Sequence, residues 1–300
     1  GEDGVGTQLG LALETRTSGP GHGGLADGIA LLRKSWRFKA GSGIHALAAA
    51  IHKGDGRGAL AVLESGKPDA ERIEVPARLA PREAEGLLAD FVERFVVPGH
   101  RAVLAQTDPA AALVALGDYR LLCAVRDGAF GLANVNRIAE AALARAGLIR
   151  PEGQRYPGRP LLVTANDPDL GLYNGDVGLL LADPAPGSGA GLAPGRELYA
   201  WFQTAEGLRR FSPHRLPPVE TLFAMTVHKS QGSEFDRVAL VLPRHDSRAV
   251  TRELIYTGVT RARRQITLVA PAERLVEGIA RRVQRSSGLH DALWAEGEGT

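Results

Sequence analysis

Along the 300 residues, apolar positions change their spacing several times, and each change predicts an element. Ile44, Leu47, Ala48 and Ile51 fall at helical intervals from Gly43 to Ile51, and Gly54 and Gly56 mark the end of that helix. Leu87, Leu88, Phe91, Val92 and Phe95 predict a second helix from near Pro81, broken by Pro98 and Gly99 so that Arg101 to Gln106 becomes a strand. The order then reverses. Leu121 to Val125 is an apolar run of strand length, Arg126 to Gly131 a glycine-rich turn, and Leu132 to Ala146 a helix with Val135, Ile138, Ala142 and Leu143 on one face. Strands alternating with helices predict an α/β unit with a parallel sheet covered on both faces. The turn before Leu132 reads equally well as a tight connection and as a helix N-terminus able to hold a phosphate.

Near Pro157 the pattern shortens. Leu161 to Thr164, Val177 to Leu181, Glu197 to Phe202 and Leu208 to Phe211 are brief strand-type runs separated by Asn, Asp, Gly and Pro, which predicts a small barrel between about 160 and 222. Asn166, Asp167, Asn174, Gly175 and Asp176 are turn formers, and Pro184 to Gly195 is expected to be a flexible hairpin loop. Longer elements then return: strands over Val238 to Leu242 and Ile266 to Ala270, a helix over Val250 to Arg261, and a last helix from Ala272 to Arg285. Residues 1–25, crowded with Gly, Thr and Ser, show no period and are expected to be disordered, and 296–300 form a tail.

Composition narrows the class. The hydrophobic share of 44% is enough for a real core, and a net charge of +2 announces no polyanionic partner, so a nucleic-acid role must rest on local clusters such as Arg281, Arg282 and Arg285. One cysteine, Cys123, excludes an internal disulfide framework and a cysteine-based zinc site, and points to the cytosol. No apolar run reaches the roughly 20 residues that span a bilayer.

Chemistry concentrates in Met225 to Asp236, MTVHKSQGSEFD, a dense polar run between apolar segments. Thr226, His228, Lys229, Ser230 and Gln231 offer groups suited to phosphate oxygens, Gly232 lets backbone approach a ligand closely, and Glu234 can accept from a ribose hydroxyl. On composition alone a solvated loop with a capping serine is an equal reading. A second polar cluster, Thr260, Arg261, Arg263 and Arg264, ends the amphipathic segment ELIYTGVTRARR.

Together these two stretches resemble motifs V and VI of superfamily 1 helicases. LLRKSWRF (Leu31 to Phe38) is similar to motif IV, and NGDVG at Asn174 to Gly178 falls in the expected order. The wording as a whole looks like the alpha-subunit (RecD) family of exodeoxyribonuclease V, from about residue 28 to residue 295. The resemblance implies a RecA-like domain 2A, residues 26–159 and 223–295, carrying an inserted SH3-like barrel, 2B, at 160–222. It implies arginine contacts to the terminal phosphate of ATP from Arg37 and Arg261, nucleotide contacts from Gly232 and Glu234, and single-stranded DNA contacts from Thr226, His228, Ser230 and Gln231. It further implies ATP and Mg²⁺ as the parent enzyme's cofactors, duplex DNA with an end as substrate, 5′-to-3′ movement, and the beta and gamma subunits of a DNA-repair nuclease as partners.

A phosphate loop, GxxxxGK[ST], is missing from these residues: the one Gly-Lys pair, Gly66 and Lys67, is followed by Pro68. The sequence therefore reads as the C-terminal half of such a motor, inactive by itself. Two rivals stand beside it: a non-enzymatic nucleic-acid-binding module, and a small-molecule α/β enzyme using His228 and Glu234 as acid and base in a closed cavity.

Overall fold

The computed structural model describes residues 41–76, 78–183 and 197–283. Arg37 and the rest of the motif IV stretch, the segments 1–25 and 296–300, the tract 184–195 and Arg285 lie outside the described residues. Five parallel strands form one sheet in the order β1 (Ala70–Glu74), β10 (Ala262–Ala270), β9 (Phe235–Val241), β2 (Tyr119–Cys123) and β8 (Ala224–Thr226). Its central strands carry apolar runs on both faces because both faces are covered; all five residues of β2, Arg120 among them, are buried.

Alternation divides the core into two layers. On one face Leu122, Val238, Leu240, Ile266 and Leu268 meet Ile44, Leu47 and Ile51 of α1 (Gly43–Lys53) and Leu63 of α2 (Gly56–Glu64). Leu254 and Ile255 of α6 (Arg252–Val259) and Leu275 and Ile279 of α7 (Ala272–Ala280) complete that face. On the other, Leu121, Cys123, Ala239 and Val241 meet Leu88, Val92 and Val96 of α3 (Pro81–Leu104), Leu116 of α4 (Pro109–Leu116), and Val135, Ala139 and Leu143 of α5 (Leu132–Arg145). Burial lifts the Cys123 thiol to about 12, so it is an unreactive core group.

Three expectations are corrected. The helix from Pro81 does not stop at Pro98: it runs 24 residues, and Arg101 to Leu104 are helical rather than strand. A mid-helix proline costs about 3 kcal/mol, but Val92, Val96, His100 and Val103 are fully buried on this one helix, and their packing outweighs it. Second, Gly56 does not end the first helix. Gly54, in the left-handed region at φ 80°, ends it, and Asp55 caps a further helix starting at Gly56, where a Cβ would lie 2.9 Å from the Val276 backbone. Third, Ala70–Glu74 is an edge strand and Pro109–Leu116 a helix, neither anticipated.

The remaining strands, β3 (Pro160–Val163), β4 (Val177–Ala182), β5 (Leu198–Thr204), β6 (Gly207–Phe211) and β7 (Val219–Thr221), form a separate antiparallel sheet ordered β6-β5-β4-β3-β7. It has its own small core around Leu161, Leu180, Phe202 and Phe211. Between α5 and β8, therefore, the chain leaves the parallel sheet and comes back to it. The two sheets are joined by buried polar groups. Arg120 donates to Leu222 O (3.0 Å) and Leu116 O (3.1 Å), and its guanidinium lies over the Phe235 ring. His100 bonds Gly158 O through Nε2 (2.8 Å) and the Tyr119 hydroxyl through Nδ1 (3.1 Å). A carbonyl can only accept, so Nε2 carries the proton and the tyrosine donates to Nδ1.

Burial holds His100 down at about 4, with the nearby Arg120 charge acting the same way and the Gly158 carbonyl opposing. The folded protein thus resists a proton that the unfolded chain accepts near 6.5. Stability should be fully present above about pH 6.5 and fall as pH drops towards 4, by the order of 3 kcal/mol from this group. Urea unfolding at about pH 7.5 and about pH 5 checks this: the loss on acidification should be smaller in His100→Gln than in the natural chain.

Candidate functional site

Strand β8 pairs with β2 as far as Thr226 opposite Cys123, the last residue of β2, whereas β9 begins at Phe235, two residues before the level of Tyr119, the first. The loop 227–234 therefore runs from the carboxyl end of the sheet to its amino end, roughly 20 Å at the usual rise per residue. It does so beside α6, which connects β9 to β10 in the same direction. Val227 N extends the β8 ladder by donating to Cys123 O (3.2 Å), and a single 3-10 turn follows, His228–Ser230.

Two of the predicted contact residues face inward. Thr226 is buried and its Oγ1 accepts from Lys229 N (3.4 Å); Ser230 is fully buried and its Oγ donates to Val227 O (2.7 Å). Their hydroxyls shape the turn, while His228, Gln231 and Gly232 are exposed. Gly232 sits at φ 87°, where a side chain would strain the backbone although nothing lies within 4 Å of the place a Cβ would occupy, so the turn itself demands glycine.

At the carboxyl end an open cleft of about 900 Å³ lies between the loop and α6, lined by His228, Gln231, Arg248, Glu253, Thr257 and Arg282 among others. Burial raises the Glu253 carboxyl, but backbone donors including Val283 N (3.0 Å) outweigh it and the net shift is downward, so this group is anionic. Arg281 also borders the cleft, with its guanidinium turned onto Asp246 Oδ1 (2.6 Å) and the Ser247 carbonyl; that bond holds the Asp246 carboxyl below its usual range. Cations thus outnumber anions around the cleft, which suits a polyanion.

At the amino end the loop meets Arg261. Thr251 caps α6 by accepting from Leu254 N (3.3 Å), and the helix closes at Thr260, leaving Arg261 just beyond its last turn, where helix carbonyls favour a cation. Arg261 Nε donates to Thr257 O (3.1 Å), Nη1 to Ser233 O (3.0 Å), and its own carbonyl accepts from Phe235 N (2.9 Å). Gly232, Glu234 and Arg261 are therefore assembled in one place. Arg263 and Arg264 pair instead with Asp236, at 2.8 and 3.4 Å.

His228 lines the cleft and Glu234 does not, so the two do not converge in a closed cavity as an acid and base pair would. Among the described residues no group of three or more His, Cys, Asp or Glu could hold a metal ion, and no helix is long and apolar enough to cross a membrane. Sequence reading passed over two participants: Ser233, which acts through its carbonyl, and Glu253, whose role appears only once α6 is placed beside the loop.

Comparison with known proteins matches the chain to helicases and helicase subunits. Residues 221–269, from the last residue of β7 nearly to the end of β10, match the UvrD-like helicase C-terminal domain. The RecBCD enzyme subunit RecD of Mycobacterium tuberculosis is 43% identical over 271 residues, covering 90% of this chain and 44% of that protein. The corresponding subunit of Haemophilus influenzae is 32% identical over 283 residues, 90% of this chain and 41% of its own length. A solved Pif1 helicase from Bacteroides, in complex with ADP-AlF3 and ssDNA, covers 89% of this chain and 57% of its own at 16% identity, a loose overlap with a TM-score of 0.41. The chain spans less than half the length of the curated relatives it matches. In sequence the chain is thus similar to part of the RecD subunits, with the loop and Arg261 inside the stretch that matches the UvrD-like helicase C-terminal domain.

Proposed function

We propose that these residues form the RecA-like domain 2A of an ATP-dependent 5′-to-3′ DNA helicase, with the antiparallel unit as an inserted SH3-like barrel, 2B. In this reading the parent is a cytoplasmic subunit of a DNA-repair helicase and nuclease complex and works with the beta and gamma subunits of exodeoxyribonuclease V. The observation that carries the proposal is the course of the 227–234 loop. It sets its exposed His228 and Gln231 on a basic cleft at one end of the sheet, and Gly232 and Glu234 beside Arg261 at the other.

That separation gives each end one task. Single-stranded DNA lies against His228 and Gln231, with Thr226 and Ser230 holding the turn from beneath, through contacts blind to base sequence. ATP, with its Mg²⁺, faces Gly232, Glu234 and Arg261, joined by Arg37. Phosphoryl transfer gains most from cations set against developing charge, and an arginine from a second domain is worth about 10³ to 10⁵ in rate in well-studied cases. The phosphate loop comes from elsewhere in the parent, so hydrolysis waits for closure of the cleft between two domains. A shared loop then makes the state at one end felt at the other.

The 300-residue chain alone should show no ATP turnover above buffer. In the full-length parent, Arg261→Ala or Arg37→Ala should lower DNA-stimulated hydrolysis at least about 10²-fold, and Arg261→Lys should rescue poorly because an ammonium lacks the planar fork. Near-normal hydrolysis in either alanine variant would remove that arginine from the phosphate. A parent that binds DNA but shows no stimulated hydrolysis would favour the plain nucleic-acid-binding module.

Replacing His228 and Gln231 together by Ala should weaken oligonucleotide binding and flatten its salt dependence in proportion to the phosphates that the loop no longer holds. Glu234→Gln should alter nucleotide affinity or turnover and leave nucleotide-free DNA binding nearly unchanged. Equal weakening of nucleotide-free binding by both changes would merge the two ends into one site.

A further inference from the structure

The turn that carries His228 and Gln231 is stitched mostly to itself. Ser230 N and Oγ both bond Val227 O, Gln231 N bonds His228 O (3.3 Å), and Ser233 N bonds Ser230 O (3.0 Å). One side chain of the turn reaches outward. Lys229 Nζ lies 2.8 Å from Glu220 Oε2, on β7, the edge strand of the antiparallel sheet.

That strand is firmly placed. Glu220 stands opposite Leu162 in the β3–β7 register, so both lie on one face of their sheet, and Leu162 is buried in the core of the parallel sheet. Next to it, Thr221 Oγ1 accepts from Arg159 Nε (3.0 Å) and Nη2 (2.8 Å), and Leu222 O accepts from buried Arg120. Glu220 is thus a carboxylate on a paired strand, on the side facing the parallel sheet, and Lys229, three-quarters buried, is drawn towards it.

We propose that Lys229 is a positioning residue: its ammonium is held by Glu220 rather than offered to phosphate, so the antiparallel sheet sets the pose of the His228 and Gln231 face. The inference rests on the reading of that face as the DNA contact. A partly exposed ion pair adds only about 0–1 kcal/mol to global stability, so its effect is local.

The sign of the Glu220 effect separates the possibilities. If Lys229 touched phosphate, removing the neighbouring carboxylate would free the ammonium and tighten binding. If the pair positions the turn, removing either partner loosens it. The test uses the 300-residue chain with the variants Glu220→Met, Lys229→Met, their combination, and His228→Ala. Two readouts are taken: hydrogen exchange of the 227–233 amides, and anisotropy of a labelled oligothymidylate at fixed salt.

Faster exchange in both single variants is expected, with oligonucleotide affinity about threefold lower in each and the double variant no weaker than Lys229→Met alone. Unchanged exchange in Glu220→Met overturns the positioning role whatever the DNA result. Tighter binding by Glu220→Met overturns it in favour of a direct phosphate contact. If exchange rises as expected but neither His228→Ala nor Glu220→Met alters binding, the brace stands and the DNA reading of the loop falls.

Discussion

The candidate site hangs from β8, a strand of three residues at the edge of the parallel sheet with only β2 as a partner. An edge so short holds few ladder bonds, and its outer side would leave backbone groups unpaired in a buried setting. Asn136 of α5 supplies the missing strand: Ala224 N donates to Asn136 Oδ1 (2.9 Å), and Asn136 Nδ2 donates to Ala224 O (3.4 Å). One amide side chain thus copies the donor and acceptor of a neighbouring strand residue. The loop beginning at Val227 takes its starting height from this contact, and Phe223 and Met225, packed on opposite faces of the sheet, keep it there.

A similar economy governs the seam between the sheets. Arg120 is buried without a carboxylate, its guanidinium shared among two carbonyls and a phenyl face, and burial lowers it to about 10, so it stays charged at neutral pH. Such a group stabilises little in net terms, since desolvation cancels most of what its bonds return. Its effect is on geometry: Leu116, Leu222 and Phe235 can sit in only one arrangement about a planar fork. His100 does the same for Gly158 and Tyr119. The antiparallel unit is therefore held in a fixed relation to the parallel sheet, which is what a brace from Lys229 to Glu220 needs if it is to position anything.

Much of this was legible in the sequence. Apolar runs such as LLCAV and RVALVLP mark strands buried on both faces, and the short strands after Pro157 separate themselves by spacing alone. Where reading failed, tertiary contacts had overridden local preference. Pro98 has no local reason to be tolerated; the reason is the burial of His100 and Val103 one turn beyond it. Ala70–Glu74 alternates weakly because it is an edge strand with a half-exposed face, and its partner Ile266–Ala270 lies almost 200 residues away. At the site, residue types were informative and directions were not. Thr226 and Ser230 have the chemistry of a phosphate contact, but both are buried, Thr226 at the end of β8 and Ser230 in the 3-10 turn, and their hydroxyls bond the backbone of that turn, a direction that no spacing rule encodes.

On the proposed reading Arg261 is both structural and chemical. Its guanidinium rests on the carbonyls of Thr257 and Ser233, each a neutral acceptor. A phosphate oxygen carries a negative charge, so it attracts the guanidinium more strongly than a neutral carbonyl does, although a bond from an ionised donor to a carbonyl is already charge-assisted. On the proposed reading a phosphate oxygen takes the place of the Ser233 carbonyl on the guanidinium. The bond it gives up at Ser233 lies in the same eight-residue loop as His228. Release there loosens one end of a loop whose other end is held by β8 and Lys229, so on the proposed reading the nucleotide end changes while the DNA end keeps its footing. On that reading the asymmetry, one fixed end and one exchangeable end, lets a single short connection carry information between two ligands instead of merely binding both.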